Sequence, residues 1–198
     1  MSASEERRDR RHELRREAIL AAAATEFAER GYHGATLDRI GERIGLSKAS
    51  LYHYVTGKEE LLAALLEQVT GRIADAAATG PDASAVERLR RFVEAHVGEA
   101  IATAEGTLLA ENLDALMARG ATGRLAEVRR RHEDRLVGIV RDGIDSGEFR
   151  AVAVRPAVKL LFGALNDLPR WFDPDGPLTL DDLSDQVVDL LSSGLVRR

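Results

Sequence analysis

Cysteine is absent from this chain of 198 residues, and proline and aromatic residues are scarce. The lack of cysteine excludes disulfide frameworks, thiolate-bound metals and cysteine nucleophiles. No stretch approaches the roughly 20 apolar residues of a membrane-spanning helix, and the N-terminal residues lack the apolar centre of a signal peptide. We therefore expect a cytoplasmic protein.

Common motifs of catalysis are missing as well. The chain contains no phosphate-binding GxxxxGKS/T or GxGxxG loop, no GxSxG nucleophile turn and no HExxH metal motif. Its five histidines are scattered along the sequence. The sequence therefore predicts neither an enzyme nor a bound cofactor or metal.

The residues that are present favour helices. Hydrophobic residues make up 44% of the chain and charged residues 31%, as in ordinary folded proteins. Long stretches rich in Ala, Leu, Arg and Glu have high helix propensity, and no stretch alternates as a strand does. We predict an all-α fold of about nine helices, ended by glycine, proline and capping residues, at positions 10–30, 36–44, 47–54, 58–78, 84–103, 106–118, 124–145, 156–171 and 180–195.

Charge is distributed unevenly along the chain, although the net charge is −5. Residues 1–58 carry 11 Lys and Arg against 9 Asp and Glu, a balance of +2. The remainder carries 17 against 24, a balance of −7. Because local charge decides where a polyanion binds, only the N-terminal third is expected to face phosphates.

The stretch from Thr36 to Lys58 has the pattern of two short helices that cross steeply. Its apolar residues recur at helical spacing, and Gly45 can take the left-handed conformation that ends the first helix tightly. Ser47 stands where a hydroxyl can cap the second helix. The stretch therefore predicts a helix-turn-helix, whose second helix is of the kind that enters the major groove of DNA.

Several segments in and around this stretch resemble the DNA-binding region of TetR-family transcriptional repressors, namely Gly31-Tyr32, Thr36-Leu37, Ile40-Gly41, Gly45-Leu46-Ser47-Lys48, Leu51-Tyr52-His53-Tyr54 and Lys58-Glu59-Glu60-Leu61. The resemblance covers roughly residues 14–65. It implies a homodimer with a flexible basic arm at 1–12, a three-helix DNA-binding head at 13–69 and a ligand-binding and dimerisation body at 70–198.

The predicted DNA contacts lie on and around the second helix of the motif. Exposed donors and acceptors read base edges, while positive and hydroxyl groups hold phosphates. We expect Lys48, Ser50 and His53 near bases and Thr36, Tyr52 and Lys58 at phosphates, and Arg39 and Ser47 complete the set. An ordinary exposed histidine is the alternative interpretation of His53.

Four arginines near the N-terminus form a candidate DNA-binding arm for the backbone or the minor groove. These are Arg7, Arg8, Arg10 and Arg11. Acidic residues alternate with them, so a solvated, disordered tail is the alternative interpretation.

The C-terminal helices carry more apolar residues than a small helix pair can bury. A second subunit would cover them in a four-helix interface, in which one patch serves both partners. The predicted dimer-interface residues are Leu161, Leu165, Val187, Leu190 and Leu191. The alternative is that they belong to the core of a single subunit.

The segment from Gly163 to Leu178 resembles the end of a TetR-family subgroup that responds to acyl-CoA thioesters, and the residues from Arg131 to Glu133 fit the same pattern. The resemblance implies an effector pocket. The predicted ligand-binding residues are Leu109, Leu113, Met117, Arg131, Phe162, Asn166, Arg170 and Trp171. Trp171 has a packing role as its alternative, and Pro169 is expected to kink or end its helix.

These observations predict a repressor that a small molecule releases from double-stranded operator DNA, and the resemblance implies an acyl-CoA thioester as the effector. Three alternatives remain open at the level of the sequence. The protein is a TetR-type regulator that responds to an unrelated hydrophobic ligand, an activator, or a helical adaptor that does not bind DNA.

Overall fold

The computed structural model describes residues 3–80, 82–103, 105–108 and 123–195, and the all-α prediction is confirmed over these ranges. Residues 105–108 are helical, and most of the helix predicted at 106–118 lies outside the described residues. Eight further helices follow one another as α1 Ala3–Gly34, α2 Leu37–Arg43, α3 Lys48–Leu51, α4 Lys58–Ala76, α5 Ala85–Ala102, α6 Gly123–Asp145, α7 Val154–Trp171 and α8 Leu180–Leu195.

Helix α1 begins at Ala3, seven residues before the predicted start, so most of the segment expected to be a flexible arm is helical. Glu5 and Glu6 lie in its first turn, where acidic side chains complement the helix dipole. The arginines of the expected arm are exposed, and their contact with DNA stays a prediction. Gly31 kinks the helix at φ 67°, and one more turn follows to Gly34.

Residues with hydroxyl side chains cap the N-termini of three helices. The side-chain oxygens of Thr36, Ser47 and Ser84 accept hydrogen bonds from backbone N–H groups at the starts of α2, α3 and α5. Helix α3 ends at Leu51, three residues before the predicted end. Residues 52–54 continue as a turn, so the reading helix is shorter than expected.

Helix α4 connects the head to the body. It packs on α1 at one end and on α5 and α6 further along. Its buried residues run from Leu61 to Ile73, and one apolar core extends from Ile19 in the head to Val188 in α8. The predicted domain boundary at 69/70 falls inside this continuous helix and stays a prediction.

Helix α7 turns a different face to the core than predicted. Leu161 is 6% exposed and Leu165 is fully buried, so both lie in the core of the single chain rather than on its surface. The large apolar residues exposed on this helix are instead Leu160, at 76%, and Trp171, at 56%. Pro169 lies inside the helix, which continues to Trp171 rather than ending at the proline. None of the described helices is long and apolar enough to cross a membrane.

Candidate functional site

The turn between α2 and α3 brings two backbone segments into close contact. Gly45 has φ +66°, as predicted for a left-handed turn. The N–H of Leu46 donates to the carbonyl of Gly41 at 2.9 Å. A Cβ on Gly41 would lie 2.5 Å from the Leu46 oxygen, so the approach depends on glycine at this position. The turn fixes α3 against α2.

Helix α3 presents polar side chains on its outer side. Leu51 is fully buried and Val55 is 6% exposed, whereas Lys48, Tyr52 and His53 are exposed. The short helix therefore has one face in the core and the other available to a partner. Ser50 is half-buried and lies next to the cap, with its hydroxyl oxygen 2.9 Å from that of Ser47.

Lys48 is oriented by a carboxylate of α2. Its Nζ donates to Asp38 Oδ2 at 3.0 Å, and both side chains are 53% exposed. This hydrogen bond and charge raise the pKa of Lys48. The ammonium therefore stays charged and near the surface of α3, where a base edge or a phosphate can compete for it.

Lys58 lies at the start of α4 with its ammonium inside the head. Its Nζ donates to the carbonyl oxygens of Tyr32 at 2.8 Å and Ala35 at 2.7 Å. Burial lowers the pKa of this ammonium. Lys58 therefore ties α4 to the end of α1, and its contact with a phosphate stays a prediction that requires it to exchange one of these partners.

Thr36 and Arg39, at and near the start of α2, are exposed. The Thr36 hydroxyl accepts the backbone N–H of Arg39 at 3.3 Å, so it caps α2 as well as facing solvent. The Arg39 guanidinium is 4.0 Å from the carboxylate of Glu26 in α1. The side chains of both residues are therefore accessible for the predicted contacts with DNA.

A small cavity of about 50 Å³ lies in the body between α4, α5, α6 and α7. The residues of its wall are mostly apolar on α4 and mixed elsewhere: Leu66, Val69, Thr70, Ile73, His96, Ala100, Gly106, Arg129, His132, Glu133, Phe162 and Asn166. Arg129 Nε donates to Glu133 Oε1 at 2.8 Å. The two opposite charges in the wall thus compensate each other.

Two buried histidines form the polar part of this wall. His96 Nε2 is 3.1 Å from Asn166 Oδ1, and His96 Nδ1 is 3.4 Å from His132 Nε2. Burial lowers the pKa of His96 to about 4. Burial, followed by the neighbouring His96 and Arg135, lowers the pKa of His132 well below its ordinary value. Both rings are therefore neutral at pH 7.

The two halves of the chain match two family models. Residues 82–195 match the model described as tetracyclin repressor-like, C-terminal domain, and residues 19–65 match the model described as bacterial regulatory proteins, tetR family. The chain belongs to the TetR family. It is a ligand-responsive, DNA-binding transcriptional repressor and not an enzyme.

Other TetR-family proteins are similar over nearly the whole chain. The KstR2 repressor of Rhodococcus jostii is 29% identical over 188 residues, which cover 91% of each protein. The fatty acid metabolism regulator protein of Bacillus subtilis is 26% identical over 182 residues, which cover 89% of this chain and 93% of the relative. The solved structure of AibR in complex with isovaleryl coenzyme A and operator DNA has a TM-score of 0.73 at 24% identity, covering 89% of this chain and 97% of AibR, a likeness that shows the fold.

In this TetR-family chain, Phe162 and Asn166 are the predicted ligand-binding residues that the structure brings to the cavity. Arg131 is 52% exposed and pairs with Glu67 at 3.2 Å on the outer side of α6. The side chains of Arg170 and Trp171 are exposed near the end of α7, away from the cavity wall. Leu109, Leu113 and Met117 lie outside the described residues.

The sequence analysis missed the two wall histidines. His96 follows Phe92 and Val93 on the buried side of α5, and His132 follows Val128 on the buried side of α6. A histidine at a core position of an amphipathic helix is a signal that could have drawn attention to each one. Their contact could not be predicted from the sequence, because the two histidines are 36 positions apart.

Proposed function

We propose that this TetR-family repressor binds operator DNA as a homodimer and releases it when an acyl-CoA thioester enters the cavity of the body. The observation that carries the proposal is the continuity of α4. Lys58 at its start is hydrogen-bonded into the head, and its later residues Leu66, Val69 and Ile73 form cavity wall. A ligand in the body and the position of the head are therefore mechanically linked.

The exposed side of α3 supports the DNA-binding part. Lys48 and Ser50 of α3, with Tyr52 and His53 of the turn that follows, provide donors and acceptors of the kind that read a major groove. Two such heads must be about 34–36 Å apart to enter successive major grooves on one side of a duplex. If their separation changed by a few ångström, the two heads could no longer bind the same duplex at the same time.

The ion pairs of α4 support a mechanical coupling between the cavity and the heads. Arg72 of α4 is paired with Glu99 of α5 at 2.8 Å, and Glu67 of α4 is paired with Arg124 and Arg131 of α6. These pairs hold α4 in one position against the body. A ligand that pushes the cavity wall outward moves α4 as a rod, and the tie at Lys58 carries the movement into the head.

Two observations support an acyl-CoA thioester as the effector. The cavity wall is mainly apolar, as an acyl chain requires. The names of similar proteins also point to acyl groups, because AibR was solved with isovaleryl coenzyme A and the Bacillus subtilis relative is a fatty acid metabolism regulator. The sequence resemblance of the C-terminal part agrees with this class.

The exposed apolar residues of α7 and α8 support the homodimer. Leu160 and Trp171 of α7 are 76% and 56% exposed, and Leu190 of α8 is 75% exposed. A groove between the two helices is lined by Val187 and Leu190 together with Trp171. Val187 and Leu190 thus keep their predicted interface role, and the side chain of Leu191 lies outside the described part.

The test measures DNA release and head separation in the same protein. A duplex enriched by the protein from a random-sequence pool is labelled, and binding is followed by fluorescence anisotropy over a range of salt concentrations. Isovaleryl coenzyme A and longer acyl-CoA thioesters are then added, with free coenzyme A and a hydrophobic cation as controls. We expect binding to weaken steeply with salt and thioesters alone to release the duplex.

Spin labels measure the separation of the heads. The chain has no cysteine, so Glu42→Cys on the exposed side of α2 places one label in each subunit. We expect the distance between the two labels to change when the thioester releases the DNA. Release at an unchanged distance contradicts the coupling through α4, and release by the cation but not by thioesters contradicts the proposed effector class.

A further inference from the structure

Three side chains from three helices are linked by two successive hydrogen bonds in the wall of the cavity. Asn166 of α7 contacts His96 of α5, and His96 contacts His132 of α6, at the distances given above. His96 and His132 are 7% and 6% exposed. Nδ1 of His132 is buried and has no hydrogen-bond partner among the described residues. This series of hydrogen bonds therefore ends at an unpaired nitrogen of His132.

Because both rings are neutral, the amide oxygen of Asn166 determines which nitrogen of each ring donates and which accepts. A neutral imidazole carries one N–H donor and one nitrogen acceptor. Asn166 Oδ1 accepts, so His96 donates from Nε2 and its Nδ1 accepts. His132 must then donate from Nε2, which leaves its Nδ1 as an acceptor. The unpaired nitrogen is thus a lone pair rather than an N–H group.

Aromatic packing holds the His132 ring in this orientation. The ring centroid is 5.3 Å from that of Phe92 and 5.2 Å from that of Phe162. Phe162 also lines the cavity, as do Val69 and Ile73 of α4. The acceptor therefore lies in mainly apolar surroundings, where an unmade hydrogen bond is costly and a matching donor is strongly preferred.

We propose that the effector carries a neutral hydrogen-bond donor, a hydroxyl or an amide N–H on an otherwise apolar body, and that this group donates to Nδ1 of His132. The inference rests on the proposed function in one respect, since it requires a small molecule in this cavity. It adds a requirement for a particular chemical group on the effector, which the proposed function does not include. An analogue of the same size without the donor leaves the nitrogen unpaired and binds more weakly.

The ligand test compares matched compounds on the full chain by isothermal titration calorimetry. Decanoic acid and decanoic acids hydroxylated at successive positions are titrated, each as the free acid and as the coenzyme A thioester. We expect at least one hydroxylated compound to bind about tenfold more tightly than the plain chain with the same head group. If the donor is instead an amide of the coenzyme A arm, every thioester gains this factor over its free acid.

The variant His132→Phe identifies the acceptor, because phenylalanine keeps the ring between Phe92 and Phe162 and removes the nitrogen. We expect this variant to bind plain and hydroxylated compounds equally. If a coenzyme A amide is the donor, the variant should also lose the roughly tenfold preference for thioesters over free acids. His33→Phe, which replaces an exposed histidine of the head, is the matched control and should keep the preference. A preference that survives His132→Phe overturns the inference.

The tautomer can be measured without any ligand and without a variant. Nitrogen NMR of the histidine rings in the unaltered protein should show His132 protonated at Nε2 and unprotonated at Nδ1. A proton on Nδ1 overturns the inference and leaves the proposed function standing. The same holds if the unaltered protein prefers neither hydroxylated compounds over plain ones nor thioesters over their free acids. Failure of all thioesters and acids to bind overturns the proposed effector class, and the inference falls with it.

Discussion

Glu26 is the most buried carboxylate among the described residues of the head, at 1% exposure, and arginines surround it. Arg43 Nε donates to its Oε2 at 3.0 Å, and Arg30 Nε lies 3.2 Å from its Oε1. Arg39 approaches to 4.0 Å. Glu26 thereby connects α1 to α2 and compensates three positive charges close to the DNA-facing side.

The substitution Glu26→Gln keeps the shape of this side chain and removes its charge. We expect the free energy of unfolding to fall by about 2 kcal/mol, because the arginines lose a buried partner but remain partly hydrated. Denaturant titration followed by circular dichroism measures the loss. Glu29→Gln is the control, since Glu29 also pairs with Arg43 but is 50% exposed, and it should cost less than about 1 kcal/mol. Equal losses would contradict the role of burial.

Individual residues also show what a sequence can and cannot predict. Gly45 was predicted because a left-handed turn favours glycine whatever surrounds it. The contact between His96 and His132 depends on how α5 and α6 pack, and no local pattern encodes it. Arg131 illustrates the opposite case. The resemblance to the acyl-CoA-responsive subgroup suggested a ligand contact, whereas the structure places Arg131 on the outside with Glu67.

At the scale of elements, the short helix α3 depends on the residue that caps it. Ser47 Oγ accepts the N–H of Ser50 at 3.2 Å, and the helix itself has only four residues. With so few backbone hydrogen bonds of its own, α3 is held by this cap and by the packing of Leu51. The position of the side chains that are predicted to read DNA therefore depends on this hydroxyl as well as on the packing of Leu51.

We expect Ser47→Ala to lower the free energy of unfolding by about 1 kcal/mol, the usual value of a lost cap, and to weaken DNA binding measurably. Ser84→Ala is the matched control, because Ser84 caps α5 through the same hydrogen bond at 3.1 Å and lies in the body. It should show a similar loss of stability in denaturant titration with unchanged affinity in the anisotropy assay. If both variants weakened DNA binding equally, the cap of α3 would have no special role.

The starts of the helices that carry a hydroxyl cap were more predictable than the helix faces. The starts of α2, α3 and α5 carry Thr36, Ser47 and Ser84, and capping chemistry is local, so the sequence located these ends within a residue or two. In α7 apolar residues occur on two adjacent sides, one with Leu161 and Leu165 and one with Leu160. Periodicity identifies such stripes but does not say which one faces the core, because that choice depends on α5 and α6.

At the scale of the whole molecule, the exposed stripe on α7 and α8 is the surface that a second subunit would bury. On α7 it recurs at Leu160, Ala164 and Trp171, which is helical spacing for one face. On α8 it continues at Val187 and Leu190. In the proposed homodimer, a self-complementary patch of this kind would form a closed two-fold interface and place the two α3 helices on one side of the DNA.

We expect Leu190→Glu to convert the dimer to a monomer, because the change places two symmetry-related carboxylates in or near an apolar interface. Sedimentation velocity measures the oligomeric state. Leu14→Glu is the control, since Leu14 is also exposed, at 61%, but lies on α1 in the head, and this variant should remain dimeric. The monomer should bind a duplex with two half-sites no better than one with a single half-site, whereas the unaltered dimer prefers the full site. A Leu190→Glu protein that stays dimeric and keeps this preference would show that the two subunits meet through another surface.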